Sequence, residues 1–362
     1  MVASEAFVEI QVPQQKVYDG VRFPAVVAPP AATTVSLTES IKGNREYLDS
    51  LIRERGAVVF RGFPIQNPSD FNDVVEAFGW EEFPYHGGAA PRTNVIGRVF
   101  TANESPPEQN IHFHHEMALY PEYPGKLFFY CDVAPEKGGE TPIVLSHVVY
   151  DRMKEKHPEF IERIEKHGLF YTRHTQEEDD PTPIGRGWKS TFATNDKKVA
   201  EERAAKLNIK LEWLENGIVK ETIGPVPGVK YVKSRQKSIW FNHSMGWDDP
   251  KKPVIFADGE ALPLDAAKDA LRMLEEESVD LPWQKGDILL IDNLAVLHGR
   301  RACNTPRRVL AALVSIAQNQ SCLSDPTVLT SDNEASIVGD KSSVALEVRG
   351  QPHMGSLLFA MM

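Results

Sequence analysis

The chain has little of what secreted, membrane-embedded or nucleic-acid-binding proteins depend on. Only three cysteines occur in 362 residues, Cys131, Cys303 and Cys322. They form no C-x-x-C pair and no disulfide framework, so they read as reduced thiols of a cytosol-like compartment. No apolar run approaches the roughly 18 residues of a membrane span. The start, Met1-Val2-Ala3-Ser4-Glu5, lacks the basic region and apolar core of a signal peptide, and Ala360-Met361-Met362 matches no anchor or retention signal. Basic charge is in deficit: 40 Lys and Arg stand against 51 Asp and Glu, a net charge of −11. That balance argues against nucleic acid or an anionic membrane as a main partner. The expectation is a soluble cytoplasmic protein whose 41% hydrophobic residues suffice for one large core. Nothing in the pattern fixes an oligomeric state.

What is present is a set of metal-ligand types. Ile111-His112-Phe113-His114-His115-Glu116-Met117 contains an H-x-E triplet, and Asp292-Asn293-Leu294-Ala295-Val296-Leu297-His298 supplies a distant third histidine. On a strand, residues two apart share a face, so His114 and Glu116 can meet one metal while His115 points away. His112 shares that face, and either competes with His114 or sits beside the ligands. Two imidazoles and one carboxylate on one octahedral face suit ferrous iron, because they leave positions open for a co-substrate and dioxygen. A triplet alone decides little, since 11 histidines produce some H-x-E by chance. The features that follow it in order give it weight.

Glu136-Lys137-Gly138-Gly139-Glu140-Thr141-Pro142 reads as a Gly-Gly turn delivering a threonine onto the strand Ile143-Val144-Leu145. Later, Trp283-Gln284-Lys285-Gly286-Asp287 leads into the apolar Ile288-Leu289-Leu290-Ile291, and the Asp292-Asn293 turn precedes the strand that carries His298. Beyond Asn304-Thr305-Pro306, Arg307 and Arg308 open the apolar run Val309–Val314. Arginines at the mouth of a buried strand call for an anionic partner, because an unpaired charge facing a core is costly.

This order, H-x-E, then G-G-E-T, then G-D and D-N before His298, then R-R-V, resembles the taurine dioxygenase (TauD/TfdA) superfamily of iron(II)/2-oxoglutarate oxygenases. Glutamate as the carboxylate ligand is similar to clavaminate synthase. The segments FRGFP, GGAAPRT, FTANESPPE, GGETPIVLSHVVYDRMK and PIGRGWKS resemble plant clavaminate synthase-like proteins. The resemblance runs from about residue 7 to 316. It implies a dioxygenase with His114, Glu116 and His298 on Fe(II), and with Thr141 and Arg308 on the distal carboxylate of 2-oxoglutarate. A guanidinium fork matches a carboxylate bidentately, which a lysine does not. Arg307, expected on the opposite face, is the weaker candidate. Asn110 falls where the family places a substrate-pocket asparagine, and Arg186 is the arginine available to an anionic substrate. The partners implied are a small-molecule substrate, 2-oxoglutarate and dioxygen. Two rival readings remain at this stage: a non-enzymatic jelly roll that senses metal or 2-oxoglutarate, and a zinc hydrolase, since two His and one Glu also serve catalytic zinc.

The implied architecture is α+β and β-rich: a double-stranded β-helix, or jelly roll, with flanking helices and an inserted lid. Helices are expected over Thr38–Arg55, from Pro68 through Phe78, near Val148–Lys156 with Ser146 as cap, near Glu159–Lys166, and over the amphipathic Leu264–Val279. Residues 171–260 read as an irregular, polar lid insertion, and the Trp240–Trp247 stretch is shorter than in the plant relatives. A single oxygenase domain is expected over 1–317. From residue 318 the composition turns to Ser, Asp, Asn and Gly and reads as a disordered tail.

Overall fold

The computed structural model describes residues 6–31, 35–84, 92–102, 106–179, 185–248 and 253–315. The expected tail over 318–362 lies outside them, and all of the described residues belong to one compact unit.

An apolar run that alternates onto two buried faces builds the centre of the fold. Eight strands form one sheet, ordered Val8–Glu9, Ala25–Ala28, Ala57–Phe60, Ile288–Asp292, Lys126–Val133, Arg308–Val314, Val99–Thr101 and Asn94–Ile96. Its pairings are antiparallel except where Ala25–Ala28 runs parallel to Ala57–Phe60. Both faces are covered, which is why its central strands are apolar along their interiors, with Lys126, Asp132, Asp292 and Arg308 kept to their ends. Val58, Phe60, Phe128, Tyr130, Leu290 and Leu310 pack one face against three helices, Leu37–Gly43, Arg45–Arg55 and Pro68–Ala77. Val59, Leu127, Phe129, Leu289, Val309 and Ala311 turn the other way, onto Ile143, Leu145 and Val296 of a second sheet.

That second sheet has three antiparallel strands, Ile143–Leu145, Val296–Arg300 and Ile111–His114, with Val296–Arg300 in the middle. Its register sets Ile143 and His114 on either side of His298. Two distant sequence segments thereby meet on one inner face between the sheets.

The expected helix over Thr38–Arg55 is two helices. Asn44 ends the first, its backbone at φ −133°, and donates its side-chain amide to the Ser40 carbonyl at 2.8 Å. The Pro68–Ala77 helix is capped by Asn67, whose side chain accepts from Ser69 and Asp70 N–H. Ser146 is not the cap expected of it: it is the first residue of the Ser146–Lys156 helix and donates its hydroxyl to the Ala295 carbonyl. The Pro158–His167 and Leu264–Glu277 helices lie where the periodicity puts them.

Residues 171–260 depart most from the sequence reading. They are not irregular: Leu169–Thr175, Ile209–Trp213, Val219–Val226 and Val254–Phe256 form a four-stranded antiparallel sheet, and Val229–Val232 pairs with Lys237–Trp240 as a hairpin. Trp188, Phe192, Trp240, Trp247 and Phe256 are buried in its core together with Phe160 and Met273. The polar impression came from alternation: Leu169, Tyr171, Arg173 and Thr175 are buried while the residues between them are not. No helix among the described residues is long and apolar enough to cross a membrane.

Candidate metal centre

The inner face of the three-stranded sheet collects the ligand-type side chains. Central-strand His298 lies directly across from His114 in the register, and the two imidazole centroids are 4.3 Å apart. Glu116 Oε2 stands 3.6 Å from His114 Nε2 and 3.7 Å from His298 Nε2. Among the described residues, these three are the cluster of His, Cys, Asp or Glu able to hold a metal ion, with donor atoms within 4.8 Å of one another. Such gaps exceed a hydrogen bond and suit a shared ion, since two cis donors about 2.1 Å from a metal lie about 3 Å apart.

Surrounding contacts orient the donors. His114 Nδ1 lies 2.8 Å from the His112 carbonyl, so it carries the proton and Nε2 keeps its lone pair for a metal. Burial, followed by repulsion from His114, pushes the His298 imidazole down to about 4, which leaves it neutral and able to ligate. Burial alone would raise the Glu116 carboxyl. The Arg92 charge and the two facing imidazoles outweigh it and hold that carboxyl well below the usual range. The donor set and its protonation therefore fit a divalent transition metal.

Glu116 reaches its place for a reason other than strand periodicity. The strand ends at His114, and Glu116 lies in the turn that follows, with Met117 at φ +57°. Asn293 holds that turn. Its Oδ1 accepts from Glu116 N–H at 2.9 Å, and its Nδ2 donates to the carbonyls of Glu116 and Pro124 at 3.0 and 2.8 Å. His115 faces away from the triad, fully buried, with Nδ1 2.6 Å from the Asn293 carbonyl and its ring against Phe241. His112 is exposed at the cavity rim and stands outside the triad.

The triad opens into a cavity of about 590 Å³. Thr141, buried at its wall, stands 3.4 Å from Arg307 Nη2, and Arg307 Nε donates to the Gly139 carbonyl at 2.6 Å. The Gly-Gly pair is no simple hairpin turn. Both glycines have positive φ, Gly138 bridges to Cys303 on another segment, and a Cβ on Gly138 would lie 2.4 Å from the Ala302 carbonyl oxygen. A Cβ on Gly139 would meet Arg307 Cδ at 2.9 Å, so the second glycine makes room for the arginine.

The expectation for the two arginines is reversed. Arg308 is exposed, donates to Asp132 Oδ2 at 2.6 Å and lies away from the triad cavity, whereas Arg307 lines it. Period two explains why: Arg308 shares parity with Leu310, Ala312 and Val314, which face the helices, and Arg307 with Val309, Ala311 and Leu313, which face the site. Burial, with Arg300 nearby, pushes the Arg307 guanidinium down to about 10, so it is still charged at neutral pH. Asn110 lines the cavity while its Oδ1 accepts from Ala302 N–H at 2.8 Å. Arg186 does not line it and donates to the Ser190 carbonyl at 3.0 Å.

Three cavity residues escaped the sequence reading. Arg92 contacts Glu116 Oε1 at 2.8 Å. His243, from the Trp240–Trp247 stretch, stacks on His114 at 5.1 Å, and its Nδ1 accepts from Met245 N–H. Arg173, on the sheet of the insertion, pairs with fully buried Glu221 at 2.7 Å. The GGAAPRT segment, which contains Arg92, and the Trp240–Trp247 stretch, which contains His243, drew notice by comparison with the plant relatives, and neither gave a role.

The chain is 59% identical over 328 residues to a clavaminate synthase-like protein of Arabidopsis thaliana, covering 86% of this chain and 99% of that one. It is 28% identical over 286 residues to the dapdiamide synthesis protein DdaC of Enterobacter agglomerans, covering 74% of this chain and 84% of the other. PvcB of Pseudomonas aeruginosa has a similar fold, with a TM-score of 0.54 at 14% identity over 88% of this chain and 95% of that one. A second PvcB structure, described as an Fe, alpha-ketoglutarate dependent oxygenase from an isonitrile synthetic pathway, gives 0.52 at the same identity and coverage. The family described as taurine catabolism dioxygenase TauD, TfdA matches residues 24–313, and the chain belongs to that family.

Proposed function

We propose that this protein is an Fe(II)/2-oxoglutarate-dependent oxygenase that hydroxylates a C–H bond of a small molecule. The observation that carries the reading is the shared cavity: a His114–Glu116–His298 face, with Glu116 and His298 buried and His114 half-buried, and, lining the same cavity, Arg307 beside Thr141. The two sheets fit a double-stranded β-helix with the metal face between them, and the folded insertion over 171–260 serves as its substrate-side cover.

His114, Glu116 and His298 would hold the iron from one side, leaving the cavity side open. Arg307, with Thr141, would take the distal carboxylate of 2-oxoglutarate; its guanidinium is oriented by its Nε bond to the Gly139 carbonyl. Iron and 2-oxoglutarate together supply the oxidant. In balance, one dioxygen and one 2-oxoglutarate convert C–H to C–OH and yield succinate and carbon dioxide. The chain's share is to orient, to exclude water and to keep the His298 imidazole neutral. Met117, Leu119, Tyr120, Tyr171 and Ile223 give the substrate side an apolar lining, with Arg173 as a charged group among them.

Anaerobic addition of ferrous ion and 2-oxoglutarate tests the centre. A visible charge-transfer band is expected from a chelate on iron, and zinc gives none. Screening a metabolite library for substrate-stimulated succinate formation then identifies the substrate. If no band forms with both additives in excess, the assignment fails and a zinc hydrolase becomes the better reading.

A further inference from the structure

Glu116 has two carboxylate oxygens, and they are not equivalent. Oε2 faces both imidazoles at 3.6 and 3.7 Å, while Oε1 takes the Arg92 guanidinium at 2.8 Å. Both side chains of this pair are buried, 7% and 8% exposed. A charge-assisted bond in such a setting is short and directional, so it fixes the carboxylate's rotation as well as its charge. The backbone of Glu116 is fixed separately by Asn293, which leaves the side-chain torsions, the carboxylate's rotation among them, as the remaining freedom.

We propose that Arg92 is a positioning residue that restricts Glu116 to a single-oxygen ligand through Oε2, keeping a metal position open toward the cavity. The inference rests on the iron and 2-oxoglutarate reading above. Carboxylates bind metals with one or both oxygens, and a two-oxygen Glu116 would take a position that the 2-oxoglutarate chelate or dioxygen needs. Arg92 lines the same cavity, so its charge also stands beside the open side of the metal.

The test uses the full chain with Arg92→Ala and Arg92→Lys, folding being verified by melting temperature. Cobalt(II) is bound first, without 2-oxoglutarate, and its visible d–d spectrum and X-ray absorption are recorded. Iron(II) with titrated 2-oxoglutarate follows under anaerobic conditions. Arg92→Ala is expected to hold metal within about threefold of wild type, to show a changed cobalt spectrum as the second Glu116 oxygen displaces a water ligand, and to need at least tenfold more 2-oxoglutarate for its charge-transfer band. Arg92→Lys, which keeps the charge, is expected to fall between. An unchanged cobalt spectrum in both variants would overturn the proposal, even if 2-oxoglutarate binding weakened, because that pattern means direct contact with the co-substrate. No band in wild type would overturn the iron reading and this inference together, whereas a wild-type band that Arg92→Ala leaves unaltered would overturn the inference alone.

Discussion

At the scale of single residues, the decisive contrast is Arg307 against its neighbour Arg308. Arg307 lies along the Gly139 carbonyl and faces the cavity, and Arg308 sits in solvent on Asp132. Truncating an arginine that clamps a buried carboxylate costs roughly 2–5 kcal/mol. Arg307→Ala is therefore expected to raise the 2-oxoglutarate requirement by tens-fold or more, and Arg308→Ala to change it by less than threefold. A titration of succinate formation against 2-oxoglutarate measures both, and an equal loss at the two positions would refute the assignment. The sequence carried two arginines and the need for an anion. The resemblance pointed to Arg308, and the residues themselves could not correct it, because both faces of Val309–Val314 are apolar and either could have been the site face.

At the scale of elements, the Asp292–Asn293 turn does more than connect two strands. Asn293 holds the backbone of Glu116 by two hydrogen bonds and Pro124 by a third, although it is 177 residues from Glu116. Removing such a partner of a metal ligand typically costs 10–100-fold in metal affinity. Asn293→Ala should lose about that much in cobalt(II) affinity, read by competition titration, while His114 and His298 remain in place; wild-type affinity would show that the turn holds itself. The Gly138-Gly139 element offers a second comparison. Gly138→Ala drives a Cβ to 2.4 Å from the Ala302 carbonyl oxygen at φ +74°, whereas Gly259, at φ +96°, has nothing within 4 Å. Gly259→Ala carries backbone strain of about 1–2 kcal/mol, and Gly138→Ala carries that plus a clash with backbone. Denaturant melts should show a clearly larger loss at Gly138, with 2-oxoglutarate binding weakened only there.

At the scale of the whole molecule, stability is tied to protonation through buried neutral histidines. Burial pushes His115 down to about 3 and His298 to about 4 in the folded chain, against an ordinary value of 6.5. Between those values the unfolded state binds the proton and the folded state does not, so stability is full above pH 6.5 and falls as pH drops below it. Each histidine contributes a slope of roughly 1.4 kcal/mol per pH unit in that window. Melting temperatures of chelator-treated protein should be level from pH 8 to 7 and fall steadily from 6.5 to 5; a level profile throughout would mean the rings take up protons in the fold as they do in the unfolded chain. On metal-saturated protein, 2-oxoglutarate at 100 times its Kd should add about 2.7 kcal/mol at neutral pH. A chelator should remove that gain.

The sequence by itself determined the chemistry available: ligand types, their order along the chain, the Gly-Gly segment, and an apolar alternation that reads as sheets rather than helices. Those are local properties of residues and short spacings. It also placed the Pro68–Ala77, Pro158–His167 and Leu264–Glu277 helices, because caps and 3.6-residue periodicity are local too. Tertiary structure decided what depended on partners far along the chain. Glu116 is set by Asn293 rather than by its own strand, and its second oxygen by Arg92. The insertion became a packed sheet because its buried residues, Trp188 and Trp240 among them, found each other across segments that look polar when read in line. The choice between Arg307 and Arg308 belongs to the same class: a strand of period two defines two faces, and only the packing of one sheet on another says which of them is the site.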